Sequence, residues 1–420
     1  MRTARIFQIG IIAGGSAVYS LAQWLMLLLF ARETSMTEMG AYSYAMSVSA
    51  PFFIFSALSL RQVYVSDPQR GSNWRKYLKL RIVSTIVALI VTCLFALMNQ
   101  TFNGIFLFVS LIKSVDLIGD IWLAPAQSAG RTRALGLYQF INGTVSLSLF
   151  SLGIFFGMPA TYALAMSLLG SIVATSFSLI VGRKSIKDPS SAPAEKTKPK
   201  NSDIVRLAAT AAPLGIAGFL NSATEAAPGY FLERTDGLES VGIFSAMVYL
   251  LLVGNTVVSA IVQFELPRSV AHFQKNGRAA MLKRTRGLSF KMAGLGLIAV
   301  LLTLAIGETV MQLLYGPEYR NRIVLVLLAI SWAVGAISWM WDLALVVQRS
   351  FNVQLIASIV GLSFSAGASV LLIGPYGLLG AGISALVARI AVAIVRLIGL
   401  IIETGHRPKH RLSRNRMAWK

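Results

Sequence analysis

The chain has 420 residues, 55% of them hydrophobic and 13% charged, with a formal net charge of +21. Soluble domains carry about 25% charged residues, so this composition excludes an ordinary soluble enzyme. Nucleic-acid binding is excluded by the placement of the basic residues. They gather in 61–81, 183–206, 268–291 and 407–420, always between or after apolar runs, as expected for membrane topology and attraction to anionic headgroups.

The apolar runs predict twelve transmembrane helices over 6–30, 39–60, 80–98, 104–125, 135–157, 160–182, 207–231, 241–264, 288–314, 323–347, 352–374 and 376–402. A span needs about 20 apolar residues, and these runs are too long and too evenly apolar for barrel strands. The first follows Met1-Arg-Thr-Ala-Arg and resembles a secretory signal. It is too long for one and ends without a small-x-small site, so it is expected to be retained. Pro51 marks a weak break in helix 2, which ends at Leu60-Arg61. The single Cys93 lies in helix 3, which rules out an intramolecular disulfide.

An ionisable group at the centre of a span costs about 2.5–3.5 kcal/mol on insertion scales, so each one requires a reason. Helix 4 carries Lys113, Asp116 and Asp120 at spacings of three and four, hence on one face. Lys113 and Asp116 can neutralise each other; Asp120 has no cation within a turn on its own helix. In helix 7, Pro213, Gly215 and Gly218 predict a kink or break before the polar run Asn221-Ser-Ala-Thr-Glu225. Helix 10 carries Asp342, and helix 12 carries Arg389 and Arg396 on one face. A guanidinium keeps its proton, so Arg389 requires an anion or carbonyls, from a ligand or from Asp116, Asp342 or Glu225. Arg61 and Arg396 lie near span ends, where snorkelling can account for them.

The segment 183–206, rich in Pro, Ser and Lys, is read as a cytoplasmic linker. It separates lobes at 1–182 and 207–402, with a basic tail at 403–420, and both termini fall on the basic side. Gly40-Ala-Tyr-Ser in helix 2 parallels Gly242-Ile-Phe-Ser in helix 8. Asp120 with Gln127 parallels Asp342 with Gln348. The prediction is an all-α polytopic membrane protein, twelve helices in two six-helix lobes around a central cleft. The longest loop on the less basic side, about 231–239, leaves little room for a catalytic centre. No catalytic set, phosphate loop, cofactor motif or metal-ligand cluster stands out, and the three histidines all lie in basic segments.

Five stretches carry a family resemblance: Glu38-Met-Gly-Ala-Tyr-Ser-Tyr-Ala, Leu60-Arg-Gln-Val-Tyr-Val-Ser-Asp, Gln127-Ser-Ala-Gly-Arg-Thr-Arg, Val241-Gly-Ile-Phe-Ser and Leu314-Tyr-Gly-Pro-Glu-Tyr. They resemble the Wzx-type polysaccharide-repeat flippases of the multidrug/oligosaccharidyl-lipid/polysaccharide exporter superfamily. The resemblance implies a non-enzymatic carrier in the bacterial inner membrane that moves an undecaprenyl-diphosphate-linked oligosaccharide by alternating access. Anionic membrane lipids are expected partners of the basic segments, and other polysaccharide-assembly membrane proteins are further expected partners. Related flippases line their cavity with arginines, some in helix 1. Here helix 1 has no cation between Arg5 and Arg32. The expected anion-binding candidates are Arg389, Lys113, Arg61 and Arg396; the coupling candidates are Glu225, Asp120, Asp116 and Asp342. The alternatives are a cation-coupled multidrug exporter of the same superfamily and a membrane-embedded glycosyltransferase or polymerase.

Overall fold

A computed structural model describes residues 2–66, 74–186, 201–348 and 350–405, and every regular element among them is helical. In chain order these are α1 (Arg2–Glu33), α2 (Met36–Ala57), α3 (Leu60–Ser66), α4 (Trp74–Met98), α5 (Gly104–Ser128), α6 (Arg133–Phe155) and α7 (Ala160–Ile186). The second half comprises α8 (Asn201–Leu302), a π turn and α9 (Glu308–Leu314), a 3₁₀ turn (Pro317–Tyr319), α10 (Arg322–Val347) and α11 (Phe351–Gly405).

Two of these helices are far too long for one crossing, and glycines divide them. Within α8 the backbone leaves helical geometry at Gly237 and Gly277, and within α11 at Gly377. Each of these glycines has positive φ, which costs a residue with a Cβ. Nine helices among the described residues are long and apolar enough to cross a membrane. Dividing the 50-residue stretch Ser202–Leu251 at Gly237 and the 51-residue stretch Asn352–Ile402 at Gly377 adds two. The twelfth is α5, set apart by Lys113, Asp116 and Asp120. Twelve crossings in the expected order result.

Two expectations, the helix 7 break and the linker, change in detail, and the basic connection 268–291 gains a conformation. The chain passes through Pro213, Gly215 and Gly218 in helical geometry, so helix 7 is not broken there. Gly215 and Gly218 are packing positions instead, set against Phe55 and Leu58 and against Ile54 of α2. The basic connection 268–291 is helical apart from Gly277. Of the expected linker, 183–186 close α7 and 201–206 open α8; 187–200 lie outside the described residues, as does the tail from 406.

Local chemistry explains several ends. Ser35 caps α2 in a capping box with Glu38. Asn103 caps α5, accepting from Phe106 N at 2.8 Å, and Asn321 caps α10, accepting from Val324 N at 3.2 Å. Helices 4 and 10 thus begin with the same device, a further mark of the repeat. After α2, Leu58 and Ser59 both take left-handed φ, 46° and 47°, without being glycine. That bend starts α3 at Leu60 and sets the direction of Arg61.

The two halves meet along α2 and α8. The largest buried cluster spans both: Leu27, Phe30, Met39 and Tyr42 from the first half with Leu232, Val241, Phe244, Met311 and Tyr319 from the second. Gly40 touches the Leu238 backbone so closely that a Cβ would lie 1.8 Å from its carbonyl oxygen. Around this crossing Thr37 Oγ1 donates to Glu239 Oε1 at 3.3 Å, and the Tyr319 hydroxyl meets Met39 Sδ at 2.7 Å. Arg32 donates to the carbonyls of Leu313 and Leu314. Three of the five stretches behind the family resemblance, 38–45, 241–245 and 314–319, therefore converge on one seal between the lobes.

Candidate substrate and coupling sites

The charged groups singled out in the sequence, joined by Arg81, form four separate constellations, two per lobe. In the first lobe α5 positions three of them. Asp116 accepts from Asn142 Nδ2 of α6 at 2.8 Å. Asn142 Oδ1 in turn accepts from Ser146 at 3.1 Å and from Ser171 of α7 at 3.2 Å. The Tyr138 hydroxyl donates to the Asp116 carbonyl at 3.4 Å. Lys113 stays within electrostatic range but is not the hydrogen-bond partner of Asp116. Both line a pocket of about 400 Å³, counting its open mouth, with Tyr19, Gln23, Tyr42, Ser146, Ser167 and Ser171. The i,i+3 spacing in α5 suggested direct pairing; the long-range partner Asn142 takes precedence. Nothing in the sequence singled out Asn142, which shares its apolar run with a second amide, Gln139.

Asp120, one turn further along α5, is clamped from two other helices. Arg61 Nε of α3 lies 2.8 Å from one carboxylate oxygen, and Arg81 Nη2 of α4 lies 3.5 Å from the other. Arg61 also donates to Gln127 Oε1 at 2.9 Å. The absence of a cation within a turn on the same helix was therefore no sign of a free carboxylate. Nor does Arg61 snorkel: the left-handed pair Leu58–Ser59 directs it back into the lobe. Arg81 is 0% exposed. Sequence reading grouped it with the cytoplasmic basic residues, since a guanidinium at the start of the expected span 80–98 has no local signature of burial. The remaining two stretches of the resemblance, 60–67 and 127–133, supply Arg61 and Gln127 to this clamp.

In the second lobe, Arg389 Nη2 of α11 pairs with Glu225 Oε1 of α8 at 2.8 Å. The two side chains are 34% and 62% exposed, so the pair stands in the cleft and is not locked in a core. Glu225 is thus less buried than its apolar surroundings in sequence implied. The polar run before it ties α8 to α11: Ser358 donates to Asn221 Oδ1 at 3.0 Å, and Ser365 donates to the Thr224 carbonyl at 2.8 Å. Around the pair lies a cleft of about 860 Å³, counting its open mouth, with Phe244, Asn255, Ser331, Trp332 and Trp339 among its walls. The Trp332 indole N–H donates to Asn255 Oδ1 at 2.9 Å, which fixes the ring.

Arg396, two turns beyond Arg389, pairs with Asp342 of α10 at 3.2 Å and donates to Ser338 Oγ at 3.1 Å. Gln354 completes the carboxylate's shell at 3.3 Å. Arg396 is therefore an interhelical tie rather than a snorkelling side chain. Gln348 accepts from Arg278 at 3.2 Å, as Gln127 accepts from Arg61. The parallel of Asp120–Gln127 with Asp342–Gln348 thus extends to arginine clamps at corresponding ends of the two lobes. Among the described residues no group of three or more metal-binding side chains occurs.

This architecture, with two helical lobes sealed at one end and charged groups facing a cleft in each, is that of a multi-pass membrane transporter. Residues 8–272 match the polysaccharide biosynthesis protein family, more than half of the chain, and the protein belongs to that family. It is 27% identical over 382 residues to the capsular polysaccharide biosynthesis protein CapF of Staphylococcus aureus, covering 89% of this chain and 94% of CapF. Among solved structures it resembles an inward-facing multidrug resistance MATE family transporter of the MOP superfamily (TM-score 0.67, 11% identity, 93% and 95% of the two chains). It also resembles the MATE transporter VcmN of Vibrio cholerae (0.64, 13%, 94% and 95%) and a MOP superfamily transporter from Pyrococcus furiosus (0.62, 13%, 95% and 94%). At these identities the structures establish a shared fold.

Proposed function

We propose that this protein is a flippase that carries an undecaprenyl-diphosphate-linked oligosaccharide from the cytoplasmic to the outer leaflet of the bacterial inner membrane by alternating access. Both termini face the cytoplasm, by the basic residues at that end. The observation that carries this reading is the Arg389–Glu225 pair: a guanidinium at mid-span, partly exposed in a cleft, whose present partner is a still more exposed carboxylate. An anionic headgroup can displace such a partner, and the guanidinium fork suits the two oxygens of a phosphate. Lys113, in the cavity of the other lobe, is placed to supply a second cation. The family match and the capsular relative support a polysaccharide precursor as cargo.

Arg61 and Arg396 are already held by carboxylates, and in this reading they order the lobes more than they bind cargo. For coupling, the same accounting favours Asp116. Asp120, Glu225 and Asp342 each have an arginine within 4 Å, whereas Asp116 is held by the neutral Asn142. A group whose charge state alternates with conformation biases the two states differently, and a carboxylate without a fixed countercharge is the group best able to do so.

The test is surface glycan in a strain dependent on this protein. Arg389→Ala should abolish it while the protein still accumulates in the membrane. Arg389→Lys, which keeps the charge and loses the fork, should restore it in part. Full glycan with Arg389→Ala contradicts anion binding there.

A further inference from the structure

A groove runs along the outside of the second lobe. It lies between the last segment of α8, the end of α10 and the end of α11, and measures about 970 Å³, counting its open side. Its walls include Phe290, Ile337, Trp341, Leu397 and Leu400. The surface around it is apolar and exposed: Leu297 is 60% exposed, Ile398 49% and Ile401 59%, so this face is turned to the bilayer and acyl chains cover it.

The groove is apolar along its length and cationic at its mouth. Arg286 lines it and stacks 5.7 Å over the Phe290 ring, with Lys283 and Lys291 exposed nearby. Among the described side chains, the acids nearest Arg286 are engaged elsewhere. Glu265 pairs with Arg284 and Arg268, and Asp342 pairs with Arg396. Ser289 Oγ, also on the groove wall, is buried with no hydrogen-bond partner. An apolar groove, a guanidinium with no carboxylate partner among the described side chains and a hydroxyl without a hydrogen bond match an anionic phospholipid: acyl chain, phosphate and ester oxygen. Basic pockets between transmembrane helices bind such headgroups.

We propose that this groove binds an anionic glycerophospholipid of the same leaflet, separate from the transported cargo. The separation comes from α10. Its residues Trp332, Gly335, Ala336 and Trp339 face the cleft, while Ile337 and Trp341 face the groove, so the helix stands between them.

Native mass spectrometry of the purified protein, titrated with phosphatidylglycerol or phosphatidylcholine of matched chains, tests this. Phosphatidylglycerol should bind more tightly. Arg286→Gln should weaken it about fivefold, the weight of one basic residue at an anionic surface, and phosphatidylcholine should be unaffected. Ala293→Trp, which fills the groove, should weaken both lipids. Arg183→Gln, on the same basic face of the other lobe, should change neither. Each variant is compared at equal monodispersity in size-exclusion chromatography. Equal loss with Arg183→Gln would reduce the effect to general surface charge, and undiminished binding to Ala293→Trp would place the lipid elsewhere. Displacement of phosphatidylglycerol by an equimolar polyprenyl diphosphate, dependent on Arg286, would assign the groove to the cargo's tail. Any of these three results overturns the proposal.

Discussion

The lobe seal makes a direct prediction at Gly40. A Cβ there would lie 1.8 Å from the Leu238 carbonyl oxygen and 2.4 Å from its carbon, and both are backbone atoms of the opposing lobe. Relief to an ordinary contact of 3.4 Å requires the crossing to open by about 1.6 Å, the difference between the two distances. Overpacking of this kind costs about 1–3 kcal/mol. Because α2 and α8 belong to different lobes, that cost falls on the sealed conformation and not on either lobe alone. Gly40→Val should therefore shift the conformational population by roughly fivefold to 150-fold away from the seal. In a background with Cys93→Ser, cysteines at Thr37 and Glu239, whose side chains now hydrogen-bond at 3.3 Å, should cross-link readily. Adding Gly40→Val should slow that cross-link by a similar factor while the thermal midpoint falls only modestly. An unchanged cross-linking rate in folded Gly40→Val protein would refute the reasoning. So would a collapse of the fold with Gly40→Ala, because the contact would then be part of a lobe core.

Other predictions follow from the ion pairs and the topology. Asp120→Asn removes the shared anion of Arg61 and the fully buried Arg81, and leaving a buried charge unpaired costs about 3–5 kcal/mol. Its thermal midpoint should fall further than that of Arg61→Gln, which leaves the Arg81–Asp120 pair in place; the reverse order would mean that Arg81 is not charged-paired in the fold. Asp116→Asn should retain substrate binding and remove the response of transport to a pH gradient. A normal response in reconstituted vesicles would exclude Asp116 as the coupling group. Cysteines at Ala129 and Asn276, both exposed at the basic end, should resist impermeant thiol reagents in intact cells, whereas cysteines at Met158 and Thr235 should react. Inverted labelling would reverse the orientation.

Span number and order were legible because a bilayer imposes one length scale on every helix, and even α5 with three charges keeps its apolar remainder. The break at helix 7 was misplaced for a physical reason. Pro and Gly signal weak helix in isolation, but in a membrane Gly is also the residue that lets two helices approach, which is how Gly215 and Gly218 serve α2. Partners of the buried charges were only partly legible. Spacing shows neighbours along one helix, so Lys113 was offered to Asp116 and none to Asp120. The actual partners, Asn142 for one and Arg61 with Arg81 for the other, come from separate helices. The Glu225–Arg389 pair was among the options because few acids are available at that depth, so elimination does what periodicity cannot.

The fold is shared with multidrug transporters, so the kind of cargo must be argued from charge and not from architecture. The groups of the four constellations are five cations, Arg61, Arg81, Lys113, Arg389 and Arg396, against four acids, Asp116, Asp120, Glu225 and Asp342. Three acids are held by arginine within 4 Å, and the fourth sits beside Lys113. A cleft for cationic drugs needs carboxylates left over after internal pairing. Here the excess is cationic, and its most accessible member is Arg389. A hydrophobic cation approaching Glu225 would have to break a 2.8 Å ion pair and leave a guanidinium uncompensated in the cleft. A phosphate approaching Arg389 would release Glu225, which at 62% exposure is already solvated. The same exchange is therefore costly for one cargo and nearly neutral for the other, and Glu225→Gln divides the two readings. It should strengthen binding of a polyprenyl diphosphate by freeing the arginine, and it should weaken binding of a hydrophobic cation. Tighter cation binding in that variant would reverse the assignment of cargo charge.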